Sequence, residues 1–291
     1  MISLVRRAAT GCVLGTALTT LAACGTAPVP QRAERPTALP SAVPSRPPTL
    51  APGPAGLTPV FRNGPRTPDK AVALTFDADM TAGQGDRAAR GERFDNPGLI
   101  DSLRTLKVPA TMFMTGRWAE EYPVQARSIG RDPLFEVANH SYSHYAFTED
   151  CYGLPTVAGS ASGPAAGERM RADVERAYGA FRAVGVPRAM PYFRFPGGCY
   201  DRRALRALRT AGVTAVQWDV VGGDAFATDA DAVAREVLDG VRPGSVVVMH
   251  CTRSAAPATE RAVRRIVPAL RERGFRFVKV SELIGATGAR R

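Results

Sequence analysis

The feature that most constrains the fold of this chain is a regular alternation of short apolar runs and longer amphipathic segments. Seven runs of strand length are almost continuously apolar, as in strands buried on both faces; they cover residues 71–76, 110–114, 134–138, 192–195, 214–218, 245–249 and 275–280. Between most of them, apolar residues recur at helical spacing, as in residues 99–106, 169–184, 203–211, 230–238 and 260–273. The alternation predicts the α/β class, with about seven parallel strands and helices outside.

The first 23 residues have the layout of an export signal. Arg6 and Arg7 precede an uncharged run of small residues, which is too short and too polar to span a bilayer well. The run ends at Leu21-Ala22-Ala23-Cys24 and resembles the lipobox of bacterial lipoproteins. This resemblance implies a lipoprotein signal peptide over residues 1–23 and a lipid on Cys24. An ordinary cleaved signal and an uncleaved anchor are the alternatives.

Residues 24–59 differ from the rest of the chain in composition. Ten of the 24 prolines lie between residues 25 and 59, with almost no large apolar side chains. Such a segment cannot bury enough surface to offset its ordering entropy, which predicts a disordered tether. Residues 60–291 then form one folded domain. We expect a monomer on the outer face of the cell membrane, held by the lipid and facing the cell wall.

The formal net charge is +11, which suits a protein beside anionic lipids or wall polymers. Export and the scattered arginines argue against nucleic acid as a partner. Cys151, Cys199 and Cys251 remain after the signal and the lipid site are set aside, in a compartment where disulfides persist. Since Cys151 lies in a long Gly/Pro-rich loop that must fold over the rim where Cys199 lies, we predict a Cys151–Cys199 bridge with Cys251 free. The rival pairing is Cys199–Cys251.

Polar residues that suit metal binding and acid–base chemistry follow several of the predicted strands. Only three histidines occur, and each lies at or just after the end of a strand: His140 and His144 after residues 134–138, and His250 after residues 245–249. Two histidines four residues apart on a helical turn can bind one metal ion. Asp77 and Asp79 follow residues 71–76 in the same way. Barrels of parallel strands build their sites at these strand ends.

These residues resemble the motifs of the polysaccharide deacetylase family, carbohydrate esterase family four, in the family's order. The motifs run from Ala71 to Leu283 and consist of Thr75-Phe76-Asp77, His140-Ser141 with His144, Arg194 and Pro196 with Gly197 and Gly198, Trp218-Asp219 with Asp224, and Val248-Met249-His250. The resemblance implies a distorted (β/α) barrel with fewer than eight strands. One motif alone is weak evidence, whereas five in order are strong.

The resemblance also implies roles for individual residues. Asp79, His140 and His144 would hold a divalent metal, with zinc favoured by ligand type and cobalt or another ion able to serve. Asp77 would be the general base and His250 the general acid. The remaining roles fall to Arg194, which would position Asp77, to Asp219 or Asp224, which would hold His250, and to Pro196, Gly197, Trp218 and Phe226, which would line the sugar groove. Core packing is the alternative for Trp218 and Phe226.

This sequence departs from the family pattern at two positions. The Trp that usually follows the Asp of the fourth motif is absent after Asp224. The metal-binding Asp of the family directly follows the base, but here that position is Ala78 and the next acid is Asp79. We expect Asp79 to reach the metal from a slightly longer turn; the alternative is a metal held by His140 and His144 with waters or another acid. We expect removal of N-acetyl groups from peptidoglycan or another N-acetylglucosamine polymer. The alternatives are an O-acetyl esterase acting on wall or plant polysaccharide, and a glycan-binding lipoprotein with a degenerate site, for which Ala78 is the only support.

Overall fold

The computed structural model describes residues 46–159 and 163–288. Its strands all pair in parallel and are β1 Val60–Phe61, β2 Ala71–Ala78, β3 Ala110–Met114, β4 Phe135–Asn139, β5 Ala189–Phe193, β6 Thr214–Val216, β7 Val220–Val221, β8 Ser245–His250 and β9 Arg276–Phe277. The seven predicted strands are all present among them. The two that were not predicted, β1 and β7, are only two residues long.

Helices follow most of the strands, as the alternation predicted. They are α1 Gly85–Ala89, α2 Pro97–Thr105, α3 Gly116–Glu121, α4 Pro123–Arg131, α5 Gly163–Ala183, α6 Arg202–Ala207, α7 Ala230–Gly240, α8 Thr259–Glu272 and α9 Val280–Gly288. Four of these helices, α1, α3, α4 and α9, were not predicted from the spacing of apolar residues. The hydroxyl of Thr115 caps α3 by accepting a hydrogen bond from the amide of Trp118, and Pro123 opens α4. No helix in the described ranges is both long enough and apolar enough to cross a membrane.

The strands form one sheet in the order β1-β6-β5-β4-β3-β2-β8-β7, with β9 paired to β2 at its beginning. Among the described residues the two end strands, β1 and β7, do not pair with each other, so the barrel is open and distorted. The predicted fold class is therefore confirmed: a parallel α/β barrel with helices around it.

Alternation along β2 separates the two faces of the sheet. Val72, Leu74, Phe76 and Ala78 pack with the outer helices in the main core. The odd-numbered positions face inward, where Ala71 and Ala73 join a second apolar cluster that includes residues of α9. Since the period is two, the same inward face continues to the acidic residues at the end of the strand.

The packed chain begins earlier than predicted. The amide of Leu50 donates to the Thr214 hydroxyl at 3.1 Å, and the Tyr192 hydroxyl donates to the carbonyl of Pro48 at 2.8 Å. Leu50 also packs against the inner cluster. Residues 46–59 therefore belong with the domain, and the predicted end of the tether at residue 59 is wrong. The predicted signal peptide and Cys24 lie outside the described residues.

The structure confirms the predicted Cys151–Cys199 disulfide, whose Cα atoms are 5.9 Å apart. Cys251 is free and buried, and it points into the outer core. The bridge ties the loop after the histidine motif to the turn after β5. A glycine is required beside it, because a Cβ on Gly197, whose φ is +64°, would lie 2.6 Å from Cys151 Sγ.

Replacing both bridged cysteines by serine is expected to lower the free energy of unfolding by about 4 kcal/mol, because 48 residues separate the two ends of the closed loop. KM should rise before the domain unfolds, since the bridge holds a loop at the rim of the barrel. Urea titration and steady-state kinetics measure the two effects. Replacement of Cys251 by serine is the matched control for loss of a cysteine. An equal decrease in the free energy of unfolding in this variant and in the variant without the bridge would contradict the prediction.

Candidate active site

The carboxyl ends of β2 and β8 place two candidate catalytic residues side by side. Asp77 and His250 are direct partners in the parallel register of these strands. Asp77 is buried and His250 is partly exposed. Neighbouring strands lie about 4.8 Å apart. The inward-facing side chains of Asp77 and His250 therefore share the opening of the barrel at the carboxyl ends of its strands, called here the opening. The opening is therefore supplied with a carboxylate and an imidazole from adjacent strands.

A fully buried arginine holds Asp77. Arg194, which follows β5, donates from Nη1 to Asp77 Oδ1 at 2.7 Å and from Nε to the carbonyl of Val216 at 3.3 Å. Its guanidinium carbon lies 3.9 Å from the centroid of the Phe113 ring. Burial lowers the pKa of Arg194 while the charge of Asp77 opposes that change. A buried pair of this kind fixes the orientation of the carboxylate.

Asp224 holds His250 in the same manner. One oxygen of Asp224 lies 2.9 Å from Nδ1 of His250, and the other accepts from the His250 amide at 2.7 Å and from the Thr259 hydroxyl at 2.6 Å. Burial lowers the pKa of His250, but the hydrogen bond and charge of Asp224 and the charges of Asp77 and Asp79 outweigh it, which raises the pKa to about 9. His250 is therefore protonated at neutral pH.

Asp224→Asn is expected to move the basic limb of the rate–pH profile to lower pH. An acid with a raised pKa stays protonated until the pH passes that pKa, so removal of the Asp224 charge brings its deprotonation to lower pH. The measurement is kcat/KM between about pH 6 and 10. Thr259→Val, which removes a hydrogen bond but keeps the carboxylate, is the control. A basic limb that stays in place in Asp224→Asn would contradict the assignment.

Asp219 does not contact His250, so its prediction as an alternative partner is wrong. Its carboxylate accepts from the Val246 amide at 2.7 Å and from the Ser245 hydroxyl at 2.9 Å, and it pairs with Arg66 at 2.6 Å. These contacts lie at the beginning of β8, whereas His250 ends that strand. Asp219 thus stabilises the opposite end of the barrel.

The two other histidines lie on a loop, not on the predicted helical turn. Ser141 and His144 have φ values of +73° and +56°, which turn the chain after β4 back on itself. Asn139 and Ser141 support the turn, because the side-chain oxygen of Asn139 accepts from the Ser141 amide and the Ser141 hydroxyl accepts from the His144 amide. The turn brings the rings of His140 and His144 to a centroid distance of 5.0 Å.

The side chains around this turn have the chemistry of metal ligands. Nδ1 of His140 donates to the Arg194 carbonyl at 2.9 Å, which leaves the Nε2 lone pair free to bind. Burial is the main reason that the pKa of His140 falls to about 4, so the ring is neutral. Nε2 of His144 and Oδ2 of Asp79 are 3.5 Å apart. Two ligands about 2.1 Å from one ion at a tetrahedral angle are about 3.4 Å apart, which this pair matches.

Within the described ranges, no three histidine, cysteine, aspartate or glutamate side chains already form a closed ligand cluster. Nε2 of His140 lies 3.6 Å from Asp77 Oδ2, on the base side of the opening. The donor set of Asp79, His140 and His144 nevertheless fits a divalent ion in residue type and, for one pair, in spacing.

Thr252, which was not predicted from the sequence, orients Asp79. Its hydroxyl donates to Asp79 Oδ1. Burial raises the pKa of Asp79, but the charges of the nearby histidines and this hydrogen bond outweigh it and hold the pKa below its usual range. A signal was present, because Thr252 stands two residues after His250 as Asp79 stands two residues after Asp77, and Asp77 and His250 are partners in the register of β2 and β8.

The four predicted groove residues have different environments. Pro196 is buried and Gly197 makes room for the disulfide. Trp218 is half-buried with its ring 5.4 Å from the Arg194 guanidinium, so it supports the arginine that orients Asp77. Phe226 is 83% exposed, two residues after Asp224. Phe226 is thus available to a ligand, whereas Pro196 packs in the core.

The structure is a parallel α/β barrel with a base and an acid side by side at the carboxyl ends of its strands, which is where enzymes with such barrels have their active sites. The family described as polysaccharide deacetylase matches residues 64–216, more than half of the chain. The chain belongs to the polysaccharide deacetylase family, and it is a deacetylase of that family's fold.

One curated relative is similar to this chain in sequence, and two solved structures are similar to it in fold. A chitooligosaccharide deacetylase of Sinorhizobium fredii is 32% identical over 193 residues, which cover 62% of this chain and 80% of the relative. The solved structure of a peptidoglycan N-acetylglucosamine deacetylase is similar at a TM-score of 0.62 and 24% identity, covering 78% of this chain and 92% of that one. An acetyl xylan esterase from Clostridium thermocellum in complex with a cobalt ion has a TM-score of 0.57 and 21% identity, with coverage of 75% and 92%.

Proposed function

We propose that this chain hydrolyses the N-acetyl groups of an N-acetylglucosamine polymer, such as peptidoglycan, with the help of a divalent metal. One observation carries the proposal: Asp77 and His250 are register partners on adjacent strands, and each is oriented by a charged residue. Arg194 donates a hydrogen bond to Asp77, and Asp224 contacts the His250 ring. Amide hydrolysis needs a base for water and an acid for the leaving nitrogen, and these residues supply both from adjacent strands at one opening.

Each of these residues has one task in the proposed reaction. Asp77 takes a proton from the attacking water, and Arg194 keeps its carboxylate pointed at that water. His250, protonated at neutral pH, gives a proton to the sugar nitrogen as the carbon–nitrogen bond breaks. Asp224 stabilises the charged imidazole and sets its orientation. The exposed ring of Phe226 offers an apolar face to a sugar at the rim.

Asp79, His140 and His144 are the residues that would hold the metal. A bound divalent ion, for which we propose zinc with cobalt as a substitute, would supply Lewis-acid polarisation of the acetyl carbonyl and activation of water. Thr252 keeps Asp79 in position, and the carbonyl of Arg194 sets the tautomer of His140. The acetyl xylan esterase with bound cobalt supports this proposal.

Acetate release tests the proposed function. The zinc-loaded protein is expected to release acetate from an N-acetylglucosamine hexamer, and Asp77→Asn is the control for release by other means. Release from acetylxylan but not from the hexamer would identify an esterase instead. Binding of the hexamer without release would identify a glycan-binding protein and overturn the proposal.

We further propose that the protein is exported and anchored to the outer face of the cell membrane through a lipid on Cys24. The support is the sequence Leu21-Ala22-Ala23-Cys24 after a basic and apolar segment. Cys24→Ser is expected to abolish lipid attachment, so that the protein leaves the detergent phase on partitioning. Equal partitioning of the native protein and the variant into the aqueous phase would contradict the anchor.

A further inference from the structure

A basic pocket of about 360 Å³ takes no part in the chemistry proposed above. It lies beside the loop that carries His140 and His144, called here the histidine loop. Ser143 and Tyr145, the two neighbours of His144 in the chain, line it together with three arginines. Arg117 comes from α3, and Arg169 and Arg176 come from α5. The pocket, called here the arginine pocket, therefore adjoins the opening that holds His144.

The positive charge of the arginine pocket is not neutralised by ion pairs. None of its three guanidinium groups has a carboxylate within 4.0 Å in the part of the chain that the structure describes, although other arginines such as Arg66 and Arg104 do. The one carboxylate in the lining is Asp173. Three arginines and this one acid leave a formal charge of +2.

The carboxylate of Asp173 already accepts hydrogen bonds from the histidine loop. Its Oδ2 accepts from the Tyr142 amide at 2.7 Å, and it also accepts from Ser143. Burial raises the pKa of Asp173, and its hydrogen bonds to the loop oppose that change. The loop thus uses the acid for its own backbone and leaves the arginines available to a ligand.

The arginines are also held in place before any ligand arrives. The guanidinium carbons of Arg117 and Arg176 lie 5.2 and 3.7 Å from the centroid of the Tyr142 ring, and Nη1 of Arg169 donates to the carbonyl of Ala158 at 3.1 Å. Nε of Arg117 is buried without a hydrogen-bond partner among the described residues. Stacking on an aromatic floor lowers the entropy that these side chains lose on binding.

We infer that the arginine pocket binds a carboxylate of the substrate, carried by a sugar next to the one that is deacetylated. Guanidinium groups bind carboxylates through paired hydrogen bonds, and the pocket begins one residue from His144. The preferred substrate would then be an acidic glycan, in which carboxylate-bearing sugars accompany N-acetylglucosamine, instead of a neutral polymer. This inference rests on the proposed function for its site but names the substrate class more narrowly.

The test measures binding, so that it does not depend on turnover. The protein carrying Asp77→Asn is titrated calorimetrically with an oligosaccharide in which every second sugar bears a carboxylate, and with the same oligosaccharide after reduction of its carboxyls to alcohols. We expect the acidic form to bind roughly tenfold tighter or more, since a charge-assisted hydrogen bond contributes about 1.5–3 kcal/mol. Higher salt should weaken this preference.

Arg176→Gln in the same background should reduce the ratio of the two affinities about tenfold. Arg171→Gln is the matched control, because Arg171 lies on the same helix but pairs with Glu175 and is not part of the pocket. Equal binding of both oligosaccharides to the protein with its arginines intact would overturn the inference, as would an unchanged ratio in Arg176→Gln. Failure of the native enzyme to release acetate would instead count against the proposed function.

Discussion

Asp77→Asn is expected to lower kcat about a hundredfold or more while the fold and the metal content stay intact. Asparagine keeps the size of the side chain and can still accept the hydrogen bond from Arg194, so the buried contact at 2.7 Å survives in part. What disappears is the ability to take a proton. Steady-state kinetics on an N-acetylglucosamine oligomer measure the loss, and metal analysis of the same sample shows whether binding is affected.

His250→Ala should behave in the same way, with a slow rate, an unchanged metal content and no basic limb in the rate–pH profile. Asp219→Asn is the matched control, because it neutralises a carboxylate at the opposite end of β8 and leaves the opening alone. Loss of the metal in His250→Ala would mean that His250 is a ligand, and our division of roles would be wrong.

His140→Ala should remove the bound metal and most of the activity together. It deletes a donor whose neutral state and orientation are set by burial and by the carbonyl of Arg194. Asp79→Ala should weaken metal binding by more than the roughly 10- to 100-fold that loss of an outer partner costs, and Thr252→Val should fall within that range. Competition with a zinc-binding dye gives all three affinities.

The order of these losses distinguishes a ligand from a neighbour. If Asp79→Ala binds zinc as the native protein does, Asp79 is only a neighbour of the site. If purified His140→Ala keeps one zinc per chain, the proposed ligand set fails. Asp219→Asn again serves as the control, since its carboxylate contacts the beginning of β8.

The alternation of apolar runs was sufficient to predict seven strands and the fold class, because buried parallel strands are apolar throughout. The missing strands β1 and β7 have two residues each, which is too short for any period to be visible. Residues 46–59 were misjudged for another reason. Their attachment depends on partners far along the chain, such as Thr214 and Tyr192, and composition carries no information about them.

The position of polar residues at strand ends located Asp77, His140 and His250, whereas Asp219, which the family resemblance offered as a partner of His250, lies elsewhere. A polar residue that follows one strand can also precede the next strand. Asp219 stands directly before β7 and therefore lies where the strands begin, at the end of the barrel opposite the active site. Asp224 follows β7 and lies at its carboxyl end. Asp173 and Thr259 could not be found from the sequence, since a single carboxylate or hydroxyl acquires its role only through contacts made in the folded protein.

The alternation at the end of β2 has an evolutionary consequence. Asp77 and Asp79 face the opening, whereas Ala78 is fully buried among apolar side chains on the other face. Exchanging Ala78 for the acid of the common family pattern would bury an unpaired carboxylate, and losing Asp79 first would, on our proposal, remove a metal ligand. Two successive point substitutions would therefore pass through a protein that either buries an unpaired carboxylate or lacks a metal ligand. Insertion or deletion of one residue at the end of the strand would convert the family's spacing of the two acids into the spacing seen here in a single event.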